Sequence, residues 1–226
     1  MKKTLLVALF AASTQVGHAQ SIAAGTVSLG GSIGYSKTTD KVTPSSTSGT
    51  NETTTSQFSF SPTVGYFVAD NLEVGISLGY TAYRRPYTTN TSSANVRAEL
   101  DPTTTLGIGA FGRYYQMFTE QFGVTGALGV GYQSTKRNEY SGSNILEYKG
   151  SGYYANITPA IVFFPIPKLG LSASMGSLGY SQFNYDYPTG PNVTAPSGYD
   201  SKSNTFGASF GLSQLQFGGT YYFGRE

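Results

Sequence analysis

Residues 63–80 read TVGYFVADNLEVGISLGY, two alternating segments joined by Ala69, Asp70 and Asn71. In the second segment Leu72, Val74, Ile76, Leu78 and Tyr80 share one parity, and Glu73, Gly75, Ser77 and Gly79 hold the other. Side chains of a strand alternate between two faces, so this is strand periodicity. A helix would need apolar neighbours three and four residues apart and would be weakened by glycine at every second position. The second face is small where a soluble sandwich would carry charge. A narrow barrel in lipid accounts for that, because its apolar side chains point outward and its interior has little room.

The same alternation recurs along the chain. It predicts a first strand over residues 25–37, a long polar loop over 38–56 and a second strand over 57–68, with Pro62 as a local irregularity. A third strand then runs to Arg84, and residues 85–93 form an exposed connection. The fourth strand extends from Val96 past Arg113, longer than the roughly 9 to 11 residues a membrane strand needs, so its start around Arg97 to Asp101 should project beyond the bilayer. A short turn at 117–121 precedes the fifth strand, residues 135–150 read as a third long connection, and a sixth strand follows over 153–164. Pro165, Ile166, Pro167 and Lys168 make a tight turn. The seventh strand changes phase near Gly176, residues 182–203 read as a long loop, and the eighth changes phase near Ser213 and Gln214 before ending at Phe223. Long and short connections alternate throughout, as they do in an even-stranded barrel with short periplasmic turns and long outer loops. The expected fold is all-β: an eight-stranded antiparallel transmembrane β-barrel with both termini on the periplasmic side.

Residues 1–19, MKKTLLVALFAASTQVGHA, have the positive start, apolar core and small cleavage residues of a secretory signal peptide, expected to be cut near Ala19. Its loss removes Lys2 and Lys3, takes the formal net charge from +2 to zero, and leaves residues 20–226 as a single barrel domain. A neutral chain has no electrostatic basis for nucleic-acid binding. The absence of cysteine excludes disulfides and thiolate metal sites. The 29 glycines alternate with apolar residues instead of forming a linker, which argues against disorder.

The stretches PTVGYFVADNLEVGISLGY, FGRYYQMF, FGVTGALGVGY, ITPAIVFFPIPKLGLSASMGSLGY and the terminal LQFGGTYYFG resemble the small outer-membrane β-barrel proteins of Gram-negative bacteria, especially those of the Bacteroidota. The resemblance spans nearly all of residues 25–224 and implies a cell outer membrane location. The partners it implies are outer-membrane lipid and lipopolysaccharide, and the machinery that inserts barrels. One departure is that Phe223 is followed by Gly224, Arg225 and Glu226, whereas the last strand of the family often stops at an aromatic residue.

Enzymatic outer-membrane barrels rely on histidine, and the only one here, His18, lies in the signal peptide. No mature serine therefore has a histidine base, and the chain is expected not to be an enzyme. Glu99 and Asp101 share a strand face, but that spacing equally suits a polar strand above the membrane. No segment has calcium-loop spacing, and Asp186 and Asp200 read as solvated loop carboxylates, so no metal or cofactor is expected. Tyr66, Phe67, Tyr114, Tyr115, Phe118, Phe163, Tyr221, Tyr222 and Phe223 gather at the short-turn end and read as an aromatic girdle.

Parity places Glu73, Tyr83, Arg97, Arg113 and Gln133 inside the barrel, with Arg97 and Glu99 as possible charges of its upper interior. Glu73 and Arg113 should lie at one depth and form an interior charge pair. An eight-stranded interior is largely filled by side chains. The expected role is therefore structural or surface-interacting, as a monomer, with the long loops available to a surface ligand. The alternative is a restricted transporter or narrow channel for small solutes or apolar molecules.

Overall fold

In a computed structural model the described residues are 21–42, 51–85, 100–141, 144–191, 193–211 and 215–225. The strands are β1 (Val27–Val42), β2 (Asn51–Ala69), β3 (Leu72–Arg84), β4 (Thr103–Met117), β5 (Phe122–Ser141), β6 (Asn144–Ile166), β7 (Leu169–Ser174), β8 (Gly176–Tyr185), β9 (Ser201–Phe210) and β10 (Gln216–Phe223). No helix occurs among the described residues. β1 to β6 pair in sequence, all antiparallel. β7 and β8 are the lower and upper parts of one traverse and both pair with β6, while β9 and β10 divide the last traverse. β10 returns to β1, so eight traverses close into an antiparallel barrel.

The wall follows the alternation. Leu78, Ile108, Leu128 and Ile161 all project outward and are exposed, opposite the small inward residues Ser77, Gly107, Ala127 and Ala160 that precede or follow them. Asn71 takes a left-handed φ of 62° at the β2–β3 turn, a conformation that asparagine tolerates better than most residues. The phase changes also appear. Met175 interrupts the seventh traverse, where Gly176 has φ 125°, and the exposed large side chains pass from even positions in β9 to odd ones in β10, although Ser213 and Gln214 themselves lie outside the described residues. A Cβ on Gly176 would run into the carbonyl oxygen of Ser209, so glycine is needed both for φ and for space.

Three expected loops are shorter than their polarity suggested. Residues 38–42 and 51–56 are paired strand. Residues 135–141 and 144–150 form a hairpin, and only residues 186–200 separate β8 from β9. A polar run with both faces in water can still satisfy its backbone by pairing, and Thr, Tyr and Ile within these segments favour strand. β5 and β6 contain 20 and 23 residues, about twice the roughly 9 to 11 that a bilayer-spanning strand needs. Above the wall Glu147 accepts hydrogen bonds from Lys136 and, at 2.8 Å, from Lys149. Those two bonds hold its carboxyl below the ordinary 4.5.

The fourth traverse is shorter than expected, because Leu100, Asp101 and Pro102 precede β4 instead of extending it. Proline removes a ladder donor at that point. Pro62 interrupts pairing with β3 but leaves the register unchanged, whereas the only shift between β2 and β3 falls between Phe67 and Ala69. The signal peptide, Arg97 and Glu99 lie outside the described residues.

Candidate functional site

The interior divides into two levels. At the short-turn end, Phe67 from β2, Tyr115 and Met117 from β4, Val162 and Phe164 from β6, and Tyr222 from β10 converge with Ile22 into one buried cluster. Ring centroids lie 5.5 Å apart for Phe67 and Tyr115, and 5.2 Å for Phe164 and Tyr222. Residues 22–26 tie across this end. Ile22 N–H donates to Asn71 Oδ1 at 2.8 Å, Asn71 N–H donates to Ile22 O at 2.9 Å, and Gly25 N–H donates to Phe67 O at 2.8 Å. From the other terminus Gly224, with φ 93°, brings the chain round so that the Arg225 guanidinium lies 3.7 Å from the Phe164 ring centroid.

Phe67, Tyr115 and Tyr222 therefore do not belong to a girdle, as first expected, but plug the barrel. Parity held the signal: Phe67 and Tyr115 are odd where β2 and β4 turn even residues outward, and Tyr222 is even where β10 turns odd ones outward. Nearness to strand ends had obscured it. Tyr66, Tyr114, Tyr221 and Phe223 do face outward at the same level.

Just above the plug, antiparallel register sets Glu73 directly opposite Arg113. Arg113 Nη1 donates to Glu73 Oε2 at 3.2 Å. Glu73 is only 1% exposed, and it also accepts from the Ser28 hydroxyl and from Tyr115 Oη at 2.9 Å. Because the Tyr115 hydroxyl has one proton and gives it to Glu73, Tyr222 must be the donor in the 3.0 Å contact between the two phenols. A buried carboxylate is tolerable only when paired and fully hydrogen-bonded, as here. Gly65 makes the space: a Cβ there would coincide with the Glu73 carboxylate.

Above this network Phe111 lies against Gly75 and Tyr154 lies across Gly109 and Gly131. Beyond them opens a cavity of about 790 Å³, bordered by Ser77, Thr105, Gln133, Asn156, Thr205 and Gln216 among others. Among the described residues no Asp, Glu, Lys or Arg lines it. Its hydroxyls and amides can donate and accept hydrogen bonds, but they include no base to activate a nucleophile. Tyr83 sits higher and is partly exposed.

Asp186 and Asp200 are not joined: Asp200 pairs with Lys202 at 2.9 Å, and the backbone N–H of Asp186 donates to Lys149 O. Among the described residues no group of three potential metal ligands occurs.

Solved structures that align with the chain include a surface protein and an outer membrane protein. A crystal structure of Neisserial surface protein A is 11% identical with a TM-score of 0.39, over 88% of this chain and 98% of that one. A crystal structure of a major outer membrane protein from Thermus thermophilus is 13% identical with a TM-score of 0.41, over the same shares. No family model and no curated sequence matches the chain, and the barrel fold stands on its own strand pairing.

Proposed function

We propose that the chain is a non-conducting outer-membrane barrel whose work is structural or surface-interacting, carried by the hairpin and loops beyond the bilayer. The observation that supports this reading best is the aromatic plug beneath the Glu73–Arg113 network, which fills the barrel at one end while the outer wall stays apolar. Lipid is the solvent that such a wall prefers, and a closed barrel leaves no ladder edge where it is fully paired. Lipopolysaccharide and outer-membrane lipid would surround it, the insertion machinery would deliver it, and a monomer would suffice. No enzymatic role is part of this reading, because the mature chain holds no histidine.

Planar-bilayer recording tests it. The wild type should give no conductance steps, whereas Phe164→Ala combined with Tyr222→Ala should open the base and produce them. Steps from the wild type would favour the restricted channel instead. Shortening residues 135–150 should leave heat-modifiable migration intact while weakening attachment to a surface partner.

A further inference from the structure

The barrel closes differently at its two levels. β1 pairs with β10 only from Val27↔Phe223 to Gly31↔Gly219. Above Gly31, β1 continues as a strand to Val42 with β2 as its one partner, and β9 runs from Ser201 to Phe210 with β8 as its one partner. Among the described residues no ladder joins β1 to β9, so the wall carries a seam. A bilayer needs only about 9 to 11 residues of strand. Counted from Val27, that length ends near Lys37, so the seam begins inside the membrane span and continues to its outer face.

The side chains around the seam are distinctive. Phe206 on β9, Ile33 and Tyr35 on β1, and Phe217 on β10 are the most exposed large hydrophobic side chains among the described residues, at 75%, 73%, 70% and 69%. Behind them is the 790 Å³ cavity, to which β9 contributes Thr205, Gly207 and Ser209. An apolar margin thus leads into an uncharged, hydroxyl-rich chamber closed below by the plug. Hydrocarbon alone would leave the backbone N–H and C=O groups of the two free edges without partners, which is costly in lipid. A polar head beside those edges would satisfy them.

We propose that the seam is a lateral port, through which an uncharged single-chain amphipath from the bilayer seats its hydroxyl-bearing head in the cavity and leaves its acyl chain along Ile33, Tyr35, Phe206 and Phe217. The lack of any charged side chain among the described lining residues selects a neutral head over a phosphate or carboxylate, since a buried unpaired charge would be strongly disfavoured. This rests on the membrane placement proposed above but not on the barrel being non-conducting.

Gly79 and Gly207 provide the handle, because a Cβ at either meets nothing within 4 Å. The mature protein is placed in phosphatidylcholine nanodiscs with a monoacylglycerol carrying a diazirine near the glycerol, then photolysed. Labelling should saturate at one per chain and fall mainly on peptides containing Ile33, Tyr35, Phe206 and Phe217. It should drop at least tenfold in Gly79→Tyr/Gly207→Tyr, which fills the chamber. If that variant does not fold, competition by unlabelled monoolein in the wild type serves instead and should abolish the same labels. Labels spread evenly around the wall, labelling unchanged by the filling variant or by competitor, or equal labelling by the phosphate-headed analogue would each overturn the proposal. Conductance by the wild type with the expected labelling would sink the non-conducting reading and leave the port standing.

Discussion

The lower and upper halves of the barrel share one wall pattern and differ in what they enclose. Below, six buried side chains and the isoleucine of the N-terminal segment meet around a carboxylate held by an arginine, a serine and a tyrosine. Above, small and hydroxylated residues leave a chamber, and among the described residues no ladder joins β1 to β9. The contrast teaches that an alternating sequence fixes the face of each residue but not whether that face is filled. Filling depends on how many large inward residues arrive at one height from different strands.

The largest expected effect is at the lower half. Glu73→Leu leaves Arg113 without its carboxylate partner and should cost about 3 to 5 kcal/mol, read as resistance to thermal or denaturant unfolding in detergent. A cycle with Glu73→Gln and Arg113→Gln should show coupling; strictly additive losses would mean the two charges are solvated separately. Next comes the wall. Leu128→Arg, on the complete side of the barrel, should cost about 2 to 4 kcal/mol near the midplane, while Phe206→Arg beside the seam should cost about 0 to 1 if it lies at the interface. Equal penalties would erase the distinction between the two levels.

Glycines sharpen the comparison further. Gly65→Ala drives a methyl into the Glu73 carboxylate and should cost about 1 to 3 kcal/mol through overpacking. Gly79→Ala enters open space and should change stability by no more than about 0.5 kcal/mol. A similar loss at both positions would show the upper chamber to be packed.

The smallest effect belongs to the outer hairpin. Glu147 has a lowered pKa because Lys136 and then Lys149 donate to it. Its contribution is therefore present above the unfolded value near 4.5 and is lost as the pH falls through the lower folded value. Amide exchange across residues 136–149, corrected for intrinsic rate, should speed up in that window while the plug stays protected. Glu147→Gln should remove the pH dependence. An unchanged profile in that variant would separate the hairpin's order from this carboxylate.

The sequence by itself determined the strands, their faces and the two phase changes. A two-residue period is local, and Leu72 to Tyr80 carries it whatever lies next to it. It also placed Glu73 and Arg113 on inward parity at the short-turn end, because each lies a few residues from a tight turn, Glu73 after 69–71 and Arg113 before 117–121. It misled where polarity stood in for irregularity, as in residues 135–150, which pair because two wet faces cost a strand nothing. Only the tertiary structure decided that Phe67, Tyr115, Phe164 and Tyr222 meet as a plug, since they come from four strands and closure alone brings them together. Closure likewise decided the seam: Ile33 and Phe206 both alternate correctly within their own strands, and whether their edges join depends on the different registers at which β10 meets β7 and β9 meets β8.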